Sequence, residues 1–142
     1  MTDPLTTRSS SPGPAAGAGG RLRRALMLDA AGMAVVGTGY LVAAAPLGRL
    51  LGPGTAFTAV VGAVMLGLAA GTAAAARPAR VPVGAALAVI GCGAAWIALS
   101  LAAVALGGLG LTPVGTVWTW LQIVPVAVFA SWQTVEVRRL RP

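Results

Sequence analysis

The sequence has no histidine, no lysine, one cysteine and only three acidic residues in 142. Each shortage removes a class of chemistry. Without histidine, acid–base catalysis near neutral pH loses its usual residue, haem loses its usual ligand and a Cys/His zinc site cannot form. A single cysteine, Cys92, makes neither an internal disulfide nor a CxxC pair. It lies deep in an apolar run and reads as a small packing residue. Asp3 stands far from the other acids, which leaves Asp29 and Glu136 near the apolar runs. No catalytic, cofactor-binding or metal-binding residue is assigned, no cofactor is implied, and no enzymatic activity is expected of the chain itself.

Charge is scarce as well. Charged residues make up 9% of the chain, against about 25% in a soluble domain. Hydrophobic residues make up 57% and the mean hydropathy is +0.86. Such a chain does not stay in water as a compact monomer, so lipid is its solvent. The net charge of +7 and a pI near 11.8 raise the question of nucleic acid. The distribution answers it. All ten basic residues are arginine and sit beside the ends of apolar runs. That pattern fits the positive-inside rule and attraction to anionic headgroups, with no nucleic-acid partner.

What is present is a set of long apolar runs. The first follows three arginines in RLRRALMLDAAGMAVVGTGYLVAAAPL, from Arg21 to Leu47. About twenty helical residues at about 1.5 Å each cover the roughly 30 Å of a bilayer core. The sequence predicts an all-α membrane protein, a four-transmembrane-helix up-down bundle. Its spans lie at residues 25–45, 55–76, 83–106 and 113–135 of a domain covering 21–142. Residues 1–20, rich in Pro, Gly, Ser and Ala, read as a disordered cytoplasmic tail. The first run is longer than a signal-peptide core, and Pro46 follows Ala43-Ala44-Ala45, so the segment is expected to be retained.

Turns are predicted at 46–54, 77–82 and 107–113, with Thr55 and Thr112 as helix caps and a kink at Pro125. In this topology nine arginines fall inside and only Arg49 outside, so both termini are expected in the cytoplasm. Trp118 and Trp120 form an aromatic belt, whereas Trp96 is mid-span and is expected to bond a neighbouring helix through its N–H. The localisation expected is a bacterial cytoplasmic membrane, multi-pass.

Three groups of residues stand out. Tyr40, Ser100 and Gln122 share a depth in the outer half and form either a small polar pocket or interhelical glue. Asp29 and Glu136 face many arginines, and an inner ion-pair network of Asp29, Glu136, Arg77, Arg80 and Arg138 is expected. Ala63, Gly67, Gly71 and Ala75 recur every four residues, a small-residue stripe for helix packing within the chain or across a dimer seam. Gly84, Ala88, Gly91 and Ala95 make a second stripe.

LMLDAAGMAVVGTGYLVAAAPLGRLLG, the central WIALS, LTPVGTVWTWLQIVPVAVFASWQ and the terminal arginines together resemble small bacterial four-span integral membrane proteins of uncharacterised function. They are distantly similar to the DoxX-like membrane proteins in size and layout. The resemblance covers about Arg21 to Arg141. It implies a four-helix bundle in the cytoplasmic membrane and no activity. The function expected from the residues is an accessory or interaction module, as a homo-oligomer or with a membrane-protein partner. The alternative is a carrier or channel subunit for a small or lipid-like molecule, using the outer polar layer.

Overall fold

The computed structural model describes residues 14–140. Their regular structure is helical throughout: α1 (Pro14–Val42), α2 (Ala44–Leu51), α3 (Thr55–Ala75), α4 (Val83–Leu106) and α5 (Pro113–Leu140). Four helices are long and apolar enough to cross a membrane: Gly19–Val42 within α1, and all of α3, α4 and α5.

Helix α1 begins earlier than composition suggested. Residues 14–20, expected in a disordered tail, are helical, and residues 1–13 of that tail lie outside the described residues. Alanines in this stretch favour the helical state. The other end is set by Pro46. It has no N–H to offer the Val42 carbonyl four residues back, so α1 stops at Val42. The chain bends at Ala43 and resumes as α2, where a turn was expected.

The short helix α2 buries Ala44, Gly48 and Leu51 on one face and leaves Arg49 and Leu50 exposed. It ends at Gly52, whose φ of 107° only glycine adopts easily and whose N–H donates to the Gly48 carbonyl at 3.1 Å. A β-carbon there would also strike the backbone of the loop at Gly110–Thr112. Thr112 fixes that loop. Its N–H donates to the Leu51 carbonyl at 3.0 Å and its hydroxyl to the Leu50 carbonyl at 2.7 Å. The same hydroxyl accepts the Gly115 N–H at 3.0 Å, the helix cap that the sequence suggested. Thr55 does not cap α3. Gly54 holds the cap position at φ 86°, and Thr55 is the first helical residue.

Helix α1 packs along α3 more extensively than any other pair of helices pack. The two backbones meet at Gly37 and Gly62. A β-carbon on Gly62 would lie 2.8 Å from the Gly37 carbonyl oxygen and 2.9 Å from Cβ of Tyr40. Thr58, Met65, Ala69 and Thr72 extend this buried face of α3. Helix α5 lies against α1 and α4, while α4 barely touches α3. Among the described residues Ala86 is the one buried residue of α4.

The predicted stripes therefore do not pack helix on helix within the chain. Positions for β-carbons on Gly67, Gly71, Gly84 and Gly91 have no neighbour within 4 Å, and Ala63 is exposed. Helix α3 carries small residues on more than one face, so its sequence alone does not single out a packing face. Gly37 on α1 does that, by admitting Gly62.

Leu22, Leu26, Ala76, Ala86 and Val137 form an apolar cluster at one end of the molecule, here called basal. The distal end carries α2 and the loop before α5. Gly62→Ala is expected to cost about 1–3 kcal/mol, because the neighbours it meets are backbone and Cβ atoms that cannot swing away. Gly84→Ala meets open space and is expected to be neutral or slightly stabilising. Thermal unfolding in detergent compares the two, and a Gly62→Ala protein as stable as the parent would contradict the contact.

Candidate functional site

The gap between α3 and α4 holds two cavities. The distal one, 580 Å³, is walled by Phe57, Val61, Leu99 and Leu106, with few polar groups. Tyr40, Ser100 and Gln122 all border it, so the structure brings the predicted polar layer to one place. Tyr40 is the centre. Its hydroxyl oxygen accepts from the Gln122 side-chain amide and from the Trp118 indole N–H, the latter at 2.5 Å. Two accepted bonds use both lone pairs and leave the O–H to donate. Ser100 lines the wall apart from this cluster.

Trp118 was assigned only to an aromatic belt. Its four-residue spacing from Gln122 puts both on one face of α5, and that was the available signal. Pro125 lies three residues beyond Gln122, inside α5, and removes the N–H that would bond the Leu121 carbonyl. Trp96 borders both cavities. Its indole N–H has no partner among the described residues, contrary to expectation.

The basal cavity, 340 Å³, is walled by all four long helices. Gly67, Gly71 and Ala75 line it, which is where most of the predicted stripe went. Cys92 is exposed on the same wall rather than packed. The polar groups are Asp29, Thr72 and Gln133. Gln133 is 1% exposed, and its amide donates to Asp29 Oδ2 at 2.8 Å.

The predicted ion-pair network is corrected here. Among the described residues no arginine pairs with Asp29, and Arg77, Arg80 and Arg138 are exposed and unpaired. Glu136, 2% exposed, instead accepts from Arg21 Nε and Arg139 Nη1, each at 3.1 Å. The early start of α1 explains the difference. Arg21 lies well inside the helix and reaches the end of α5, while Arg139 is three residues from Glu136 on the same helix. Asp29 lies five residues beyond Arg24 within the span Gly19–Val42, about 7.5 Å further along the helix at about 1.5 Å per residue. Among the described residues no three His, Cys, Asp or Glu side chains gather as a metal site would require.

Four membrane-length apolar helices fit a multi-pass membrane protein. No protein-family model matches the chain, and no curated protein or solved structure matches it.

Replacing Glu136 with leucine is expected to cost about 1–3 kcal/mol, less than the about 3–5 kcal/mol of breaking a fully buried pair, because both arginines are half exposed. Arg77→Ala, Arg80→Ala and Arg138→Ala are expected to stay within about 0.5 kcal/mol. Unfolding midpoints in detergent check the contrast, and a large loss on Arg138→Ala would restore the network first expected.

Proposed function

We propose that this chain is a non-enzymatic protein of the cytoplasmic membrane that holds a lipid-like molecule in its distal cavity, as a carrier or a carrier subunit. The observation that carries this reading is the Tyr40 hydroxyl at the cavity wall, held by Trp118 and Gln122 with its O–H left to donate. A ligand with a long apolar body and one acceptor oxygen, such as a carbonyl or ester, matches that wall. The volume lies within the roughly 300–1,000 Å³ usual for small-molecule sites.

The spans alternate in direction and both termini lie in the cytoplasm. Two observations support this. The basal cluster joins the early part of α1, the end of α3, the start of α4 and the end of α5. The arginines concentrate at that end, at 21, 23, 24, 77, 80, 138 and 139, while Arg49 lies on α2 at the distal end. Positive-inside placement makes the basal end cytoplasmic, where surplus charge attracts anionic lipid. The accessory-module reading drew on the α3 stripe. Within the chain that stripe borders a cavity, which supports the carrier reading. The likeness to DoxX-like proteins in size and layout is compatible with this and adds no activity.

Native mass spectrometry from a mild, lipid-retaining extraction tests the reading. The parent protein is expected to carry one discrete lipid-like adduct. Gln122→Leu and Tyr40→Phe are expected to lose it while keeping their fold by circular dichroism. Retention of the adduct by folded Gln122→Leu would leave the polar layer as glue between helices and sink the proposal.

A further inference from the structure

Among the described residues Asp29 is an acid without a cation. The other acid of the helical region, Glu136, takes two arginines, and each recorded pair lies toward the basal end. Asp29 lies at the level of Gln133, about one helical turn further along α5 from Glu136, with one amide donor and a cavity in front of it. Ionisable groups within a membrane span are costly and mark sites of binding or transfer. Here the amide of the buried Gln133 fixes Oδ2, which leaves Oδ1 for an occupant. The rest of the wall is apolar: Met33, Met65, Leu68 and Val126, with the Trp96 ring among them.

We propose that the basal cavity binds an organic ammonium ion with an apolar body, its charge set against the Asp29 carboxylate. The apolar wall takes the hydrocarbon part, and Trp96 offers a ring face of the kind that attracts cations. A bare metal ion is a poor match, because Ca²⁺ takes about 6–8 oxygen ligands and Mg²⁺ about six. An anionic amphiphile would set like charges together. The glycines at 67 and 71 keep the space open, since side chains there would project into it. This site stands on its own observations and does not depend on the distal cavity.

Cys92 supplies the readout, because it is the one cysteine of the chain and is exposed on this wall. The full chain in nonionic detergent is alkylated with N-ethylmaleimide, with and without benzyltrimethylammonium. Its uncharged carbon isostere, neopentylbenzene, is the control. The ammonium ion is expected to slow alkylation severalfold and the isostere to leave it unchanged. Asp29→Asn preserves shape and the bond from Gln133. It is expected to raise the concentration for half-protection about tenfold or more, as loss of a charge-assisted contact does. Gln122→Leu is expected to change nothing, which separates this site from the distal one. If Asp29→Asn misfolds, Asp29→Glu keeps the charge and is expected to keep the protection. Phosphatidylethanolamine in place of the probe distinguishes the sources: protection assigns the ammonium to a lipid headgroup, and none assigns it to a free amine. Equal protection by the isostere, unchanged protection in Asp29→Asn, or none in the parent would overturn the proposal.

Discussion

The close approach of α1 and α3 at Gly37 and Gly62 shapes the rest of the molecule. In lipid there is little hydrophobic drive between helices, so packing is decided by how near two backbones can come. This pair comes near enough that a single β-carbon would intrude. Helix α5 then lies against α1, held by the Arg21–Glu136 pair at one end and the Tyr40–Trp118–Gln122 cluster at the other. Helix α4 is attached mainly through α5. The space it leaves beside α3 becomes two cavities with different chemistry, one built around a phenol and one around a carboxylate.

The cavities occupy a place where small residues usually bring helices together. Gly67 and Gly71 are here wall residues, and their missing side chains make volume rather than contact. The same residue type thus does opposite jobs on two faces of α3. Gly62 closes one interface, while Gly67 and Gly71 open another. Trp96, reaching both cavities from α4, is the bulky side chain between the two levels.

Much of the architecture was legible because lipid imposes simple rules. The apolar runs and turn residues located the long helices, and α3, α4 and α5 start where expected. The layer of Tyr40, Ser100 and Gln122 was legible because polar groups inside a span are few and depth can be counted along each helix. Three features were not legible. Helix α2 depends on Pro46 breaking α1 without ending helical structure, and composition read the stretch as a turn. The partners of Glu136 depend on the rotation of α1, which spacing does not fix. The face of α3 that packs depends on where Gly37 lies across the interface, and α3 offers small residues on more than one face.

The central claim is that α3 and α4 leave a cleft between them instead of packing together. Filling that space tests it most directly, by measuring the unfolding midpoint of the Gly67→Leu/Gly71→Leu double variant in detergent. Two leucines projecting into the basal cavity are expected to leave the midpoint unchanged or raise it, since leucine also favours the helix over glycine. A steep loss of stability would mean that these glycines are pressed against a neighbouring helix, and the cavity and both sites drawn from the gap would fall with it.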